Sequence, residues 1–251
     1  AIILTASGDR DHAIMNIVTS AFGNAGQKCS ACSLLLVERS VYEDKNFQDK
    51  LKDAATSIKV GSVWEAGNVV GPMITNRNDK LLQALTLEPG ESWLVPPKFI
   101  DEKQYILAPT VKWGVKPGSY SFRTELFGPM LSVACIDNLQ QGIELVNSLD
   151  YGLTSGLQSL DENEQKLWKD SILAGNLYIN RGITGAIVNR QPFGGMKLSA
   201  FGGGVKAGGP NYCACLVKIT DKPESNTDYK QSYPHAYEEE FAHARDINKL
   251  Y

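Results

Sequence analysis

Apolar residues follow two rhythms along this chain. Ile2-Ile3-Leu4 and Leu34-Leu35-Leu36-Val37 are unbroken apolar runs, as strands covered on both faces would be. Between them Ala13, Ile14, Ile17, Val18, Ala21 and Phe22 recur at helical spacing over residues 9–22, and Phe47, Leu51, Ala54 and Ile58 form a second inward stripe over 44–58. After a passage punctuated by Gly and Pro, the pattern predicts a short helix near 77–85, a strand over 130–136, a helix over 139–147 and a strand over 154–157. Asp161 and Glu164 have capping-box spacing ahead of a helix that continues to Leu173, and a strand follows over 177–179. Repeated strand-helix units predict an α/β fold with a mainly parallel sheet flanked by helices. Ligand sites in such sheets are expected outside the carboxyl ends of the strands.

Past residue 180 the texture changes. Arg181-Gly182-Ile183-Thr184-Gly185-Ala186, Pro192-Phe193-Gly194-Gly195, Phe201-Gly202-Gly203-Gly204 and Ala207-Gly208-Gly209-Pro210 follow in close order. Glycine at that density lets backbone approach a ligand, and a set of turns would read the same way. Residues 212–220 alternate loosely and are expected to form a strand. Residues 221–251 are too poor in aliphatics for a core of their own and are expected to wrap another surface.

The 251 residues with 43% hydrophobic content suit a globular body with one sizeable core or two small ones. A formal charge of −3 without a long basic tract argues against a nucleic-acid partner, and no apolar stretch reaches the length of a membrane span. The five cysteines, at 29, 32, 135, 213 and 215, are irregularly spaced in a chain too large to need disulfide staples, which points to a reducing, cytoplasmic setting. Ala1-Ile2-Ile3-Leu4 reads as a strand already under way, so a segment upstream is expected.

The chemistry centres on Gly26-Gln27-Lys28-Cys29-Ser30, placed between the first helix and the second strand. A thiolate is a strong nucleophile, and a helix-to-strand turn can present it to a carbonyl carbon; a small buried hydrophobe is the alternative reading of Cys29. Cys29 and Cys32 have dithiol spacing, but a redox pair belongs at a helix start after a strand, and here the order is reversed. No zinc site is expected, because Cys213 and Cys215 lack the spacing of a knuckle. His12 lies within a helix and suits a surface or packing role. None of the glycine runs forms the dinucleotide fingerprint that follows a first strand.

Gly26-Gln27-Lys28-Cys29-Ser30, Thr124-Glu125-Leu126-Phe127-Gly128-Pro129, Tyr151-Gly152-Leu153-Thr154 and Pro192-Phe193-Gly194-Gly195 stand in the order and approximate spacing of the aldehyde dehydrogenase superfamily. The resemblance covers residues 1–220. Within that superfamily the chain looks most like the L-glutamate γ-semialdehyde (1-pyrroline-5-carboxylate) dehydrogenases of proline metabolism, alone or fused to proline dehydrogenase. The pointers are Ser30, Asn180-Arg181-Gly182-Ile183-Thr184-Gly185-Ala186-Ile187-Val188, Gln191-Pro192-Phe193-Gly194-Gly195 and Lys206-Ala207-Gly208-Gly209-Pro210-Asn211-Tyr212. The resemblance implies a catalytic α/β domain over 1–204, an oligomerisation strand over 205–220, a C-terminal extension over 221–251, and a homo-oligomer.

It also implies roles. Cys29 would attack the aldehyde carbon, NAD would take the hydride from the thiohemiacetal, and water would release glutamate from the thioester. Glu125 and Phe127 match positions beside the nicotinamide and its ribose. Ser30, Gly185 and Ala186 match positions that hold the substrate's α-carboxylate, and Phe193 one that walls the aldehyde tunnel. The family's general-base glutamate and its dinucleotide-binding domain would lie before Ala1, so the chain is expected to be the catalytic half of a longer enzyme and inactive by itself. Arg190, and Ala200-Phe201 in place of the commoner Gly-Thr, depart from the family pattern. A dehydrogenase for a neutral aldehyde, or a non-catalytic oligomerisation module, are the alternatives.

Overall fold

The computed structural model describes residues 1–75, 78–101, 105–187, 190–201, 205–218 and 220. Residue 77, the first of the expected short helix, Val188, Gly202-Gly203-Gly204 and the extension over 221–251 lie outside the described residues.

In chain order the strands are β1 (Ile2–Leu4), β2 (Leu34–Glu38), β3 (Ser92–Val95), β4 (Phe99–Asp101), β5 (Ile106–Leu107), β6 (Thr110–Trp113), β7 (Met130–Ile136), β8 (Tyr151–Gly152), β9 (Thr154–Gln158), β10 (Asn176–Ile179) and β11 (Met196–Lys197). The helices are α1 (Arg10–Phe22), α2 (Arg39–Tyr42), α3 (Lys45–Thr56), α4 (Asp79–Ala84), α5 (Tyr120–Arg123), α6 (Leu139–Asn147) and α7 (Glu162–Ser171). One sheet of seven strands runs β10-β9-β1-β2-β7-β6-β3. Every pairing in it is parallel except that of the edge strand β3 with β6. The α/β fold with a mainly parallel sheet is the one the apolar pattern predicts.

Local chemistry explains where the helices begin. The side chains of Asp9, Asp44, Asn78 and Asn138 accept the first free amides of α1, α3, α4 and α6. Asp161 does the same for α7, taking the N–H groups of Asn163 and Glu164 at 2.7 and 3.1 Å. The other half of the expected capping box does not form. Glu164 turns away from the cap and its Oε2 accepts the hydroxyls of Thr5, Ser7 and Ser159 at 2.7, 2.7 and 2.6 Å.

Alternation along the strands divides the core into two layers. On one face Ile2, Leu4, Leu35 and Val37 meet Ile14 and Ile17 of α1 and Phe47 and Leu51 of α3. On the other, Ile3, Leu34, Leu36 and Ile136 meet Ile143 and Val146 of α6 and Trp168 of α7. Each such buried side chain contributes about 1.5–3 kcal/mol, so the sheet is held by the coats on both faces. His12 is exposed, as its helix position suggests. Among the described residues no helix is long and apolar enough to cross a membrane.

Two expectations are corrected. Residues 212–216 of the expected C-terminal strand form a 3-10 helix, Tyr212–Leu216, with Leu216 and Val217 exposed. A strand needs a ladder partner for its amides, and among the described residues no strand runs beside this segment. The second correction concerns the ends of the sheet. The strand order reverses direction between β1 and β9, where a ligand crevice at the carboxyl ends is expected. Those ends carry instead a polar cluster, the carboxylate of Glu164 with its three hydroxyls, while Glu38 takes the N–H of Ala6 at 2.6 Å.

A charged pair also lies inside the fold. The side chains of Lys112 on β6 and of Glu91 are each 1% exposed, with Nζ and Oε2 3.0 Å apart, and the ammonium also donates to Thr86 O and Ser121 Oγ. Replacing Lys112 by Met leaves a buried carboxylate without its cation, and urea unfolding should record a loss of about 3–5 kcal/mol. Lys112→Met combined with Glu91→Leu should recover most of that loss. Equal losses in the single and double variants would show that the pair is not coupled.

Candidate active site

Four lead-in segments converge where the parallel strands begin. Ala1 enters β1, residues 29–33 enter β2, residues 124–129 enter β7, and Leu153 enters β9. Between them lies a cavity of about 420 Å³, lined among others by Ala1, Cys29, Ser33, Arg123, Glu125, Phe127, Tyr151, Thr154 and Ser199. It opens at the amino ends of the strands, opposite to the side expected from the fold class.

The approach to Cys29 is set by an abrupt change of direction after α1. Asn24, Ala25 and Gly26 all take left-handed backbone angles, with φ of 57°, 54° and 66°. A Cβ on Gly26 would stand 2.2 Å from the carbonyl oxygen of Gly128, so only glycine lets this turn pass against the lead-in to β7. Gln27 ties the same two segments: its Nε2 donates to Phe127 O at 3.2 Å, and its Oε1 accepts the N–H of Ile74 at 3.1 Å. A turn over 28–31, closed by Ala31 N–H donating to Lys28 O at 3.0 Å, then carries Cys29 and Ser30 at its centre.

The two nearby cysteines have opposite environments. Cys29 is exposed and faces the cavity. Cys32 is 1% exposed, its thiol donates to Leu34 O at 3.3 Å, and burial pushes its pKa up to about 11. It is therefore an inert thiol at neutral pH, and the dithiol reading of the pair fails.

Glu125 and Phe127 join Cys29 in the cavity. Desolvation by the surrounding walls raises the Glu125 carboxyl above its ordinary pKa, and the N–H of Phe127, donating to Oε1 at 3.2 Å, offsets part of that rise. The opposite wall is braced by β11. Lys197 Nζ donates to Asn147 O and Leu149 O at 2.9 and 2.8 Å, and Ser199 Oγ accepts the N–H of Gly152 at 3.1 Å. Among the described residues no group of His, Cys, Asp and Glu could hold a metal ion.

The remaining sequence candidates stand farther back. Ser30 is 6% exposed, and its carbonyl accepts the hydroxyl of Thr154 at 3.5 Å. Gly185 is exposed and Ala186 half-buried, and neither lines the cavity. Phe193 is half-buried and exchanges backbone hydrogen bonds with Ala207 at 3.0 and 2.9 Å, also off the cavity. The loop holding Gly185 and Ala186 is nonetheless tied to the cysteine turn, because Ser20 of α1 accepts the N–H of Ile183 at Oγ and the N–H of Cys32 at its carbonyl. Sequence reasoning missed Ser20 and its neighbour Asn16. Their signal was polarity at inward-facing positions of a helix otherwise lined with Ala, Ile and Phe.

The sequence profile of the aldehyde dehydrogenase family matches residues 1–220. The chain belongs to this family. The aldehyde dehydrogenases it resembles include 1-pyrroline-5-carboxylate dehydrogenase of Geobacillus kaustophilus, 35% identical over 214 residues, a match covering 84% of this chain and 41% of that protein. Among solved structures, proline utilization A from Corynebacterium freiburgense superposes with a TM-score of 0.84 at 45% identity, covering 95% of this chain and 24% of that one. A Thermus 1-pyrroline-5-carboxylate dehydrogenase with bound NAD gives 0.77 at 33% identity, covering 85% and 41%. The chain thus spans about two fifths of the length of the curated aldehyde dehydrogenases it matches.

Brief alkylation with iodoacetamide near pH 7.5 should modify Cys29 and leave Cys32 intact, as read by peptide mass spectrometry. Modification of Cys32 at a comparable rate would contradict its burial.

Proposed function

We propose that this chain is the cysteine-bearing part of an NAD-dependent dehydrogenase that oxidises L-glutamate γ-semialdehyde to L-glutamate. The observation that carries the reading is the cavity in which an exposed Cys29 meets Glu125 and Phe127, while the neighbouring Cys32 is sealed away. The similarity to 1-pyrroline-5-carboxylate dehydrogenases and to proline utilization A supports the choice of substrate.

Cys29 adds its sulfur to the aldehyde carbon, and the carbonyl oxygen becomes an oxyanion beside the backbone of the 28–31 turn. A nicotinamide fits the chemistry of the wall, since Glu125 supplies a carboxylate for a ribose hydroxyl and Phe127 an apolar surface. When bound, NAD supplies the acceptor for the hydride released as the thiohemiacetal carbon becomes a thioester. Ser30, beside Cys29 on the same turn, and the loop over 184–186, outside the cavity but tied to that turn through Ile183 and Ser20, are the segments assigned to the α-carboxylate, since backbone N–H groups of such loops favour an anion. Phe193 does not line this cavity, and its role as a wall of the aldehyde's path rests on the family resemblance alone. Ala1 lines the cavity, so residues preceding it in a longer protein would enter beside Cys29, where a base is needed to activate water for thioester hydrolysis. The dinucleotide-binding domain, the homo-oligomer and a cytoplasmic location belong to that whole protein.

In the full-length protein, Cys29→Ala should abolish turnover of the semialdehyde while Cys32→Ala keeps most of it. Equal loss in both variants with folding intact would sink the assignment. Ser30→Ala should raise KM for the semialdehyde by about tenfold and barely change propanal oxidation, because one charged hydrogen bond is lost only with the carboxylate. Wild-type enzyme that uses both aldehydes equally well would exclude the semialdehyde reading and leave the family intact.

A further inference from the structure

Ser20 is fully buried on the inward face of α1, a place where an apolar side chain is the default. Its hydroxyl donates to Asn16 O at 2.6 Å, one helical turn back. That bond fixes the rotor and aims a lone pair of Oγ at the N–H of Ile183, which it accepts at 3.0 Å. The carbonyl of the same residue accepts the N–H of Cys32 at 2.9 Å, at the exit of the cysteine turn.

The contact has no slack. A Cβ on Gly182 would stand 3.1 Å from Ser20 Oγ, so the loop is pressed against the hydroxyl. One turn away, Asn16 Nδ2 donates to Gln158 Oε1, and Gln158 Nε2 donates to Arg181 O, each at 3.1 Å. Two buried polar residues of α1 thus hold the loop at 181 and at 183, immediately before the segment assigned above to the substrate's carboxylate.

We propose that Ser20 is a positioning residue for substrate selection: through Ile183 it sets the distance between the carboxylate-reading loop and the turn that carries Cys29. The inference rests on the semialdehyde reading and assigns it a residue that touches no substrate. The two halves of the link are chemically distinct. The bond to Cys32 uses backbone and survives removal of the hydroxyl, whereas the bond to Ile183 uses the side chain and does not. Loss of the hydroxyl therefore releases the loop and leaves the nucleophile in place, so the effect falls on KM for a carboxylate-bearing aldehyde.

The test compares Ser20→Ala with wild type in the full-length protein, using L-glutamate γ-semialdehyde and propanal. The expected result is a rise of about tenfold in KM for the semialdehyde, from a buried amide left unpaired, with kcat and propanal kinetics near wild type. A fall in kcat at unchanged KM, equal impairment of both aldehydes, or no change overturns the proposal. Should Ser20→Ala fail to fold, Ser20→Cys carries the test, since its sulfur is a weak acceptor: an intermediate rise in the same KM supports the link, and an unchanged KM overturns it. Wild-type enzyme without a preference for the semialdehyde removes the substrate reading and this inference together, an outcome distinguishable from failure of the Ser20 link alone.

Discussion

The site hangs from the parallel register of β1 between β2 and β9, in which Ile2 faces both Leu35 and Gly156. Parallel strands that begin at one level deliver their lead-in segments side by side. Here those segments are Ala1, the turn with Cys29, and Leu153, with the Glu125–Phe127 stretch arriving two strands away on β7. A slip of one residue would move a lead-in by about 3.3 Å and exchange every side chain between the two core layers. Because both layers are packed against helices, the register cannot drift, and the cavity inherits its dimensions from the core.

Much of this was legible in the chain. The unbroken runs at 2–4 and 34–37, and the helical stripes led by Ile14, Ile17, Phe47 and Leu51, fall on the observed strands and helices because burial on both faces of a sheet leaves no ambiguity in period. The edge pair β3 and β6 was not legible. Ser92–Val95 is short and buries only Val95, and β6 carries Lys112 in its middle, a residue that argues against a covered strand until Glu91 is seen beside it. The C-terminal strand failed for a related reason: alternation suggests extension, but only a neighbour can satisfy its amides.

For the site, Cys29, Glu125 and Phe127 line one cavity. Its side of the sheet was misread because the rule for open α/β sheets assumes an empty crevice at the carboxyl ends. The polar residues that cluster at those ends, Thr5, Ser7, Ser159 and Glu164, are scattered in the sequence, and no spacing rule links them. Ser20 and Asn16 were hidden in the opposite way, as minor interruptions of an otherwise apolar stripe.

The pairing of residue 2 with residue 156 also bears on how the molecule comes together. β1 precedes the other strands of this sheet in the chain and lies in its interior, yet one of its two neighbours, β9, comes only after β2, β3, β6 and β7. Closing a loop of that length costs conformational entropy before the contact returns any, and such non-local pairings are slow to form. The turn with Cys29 and the 149–154 wall sit on opposite sides of this seam. The cavity therefore lacks a wall until the seam closes, so the Cys29 thiol gains its enclosing pocket in one late event.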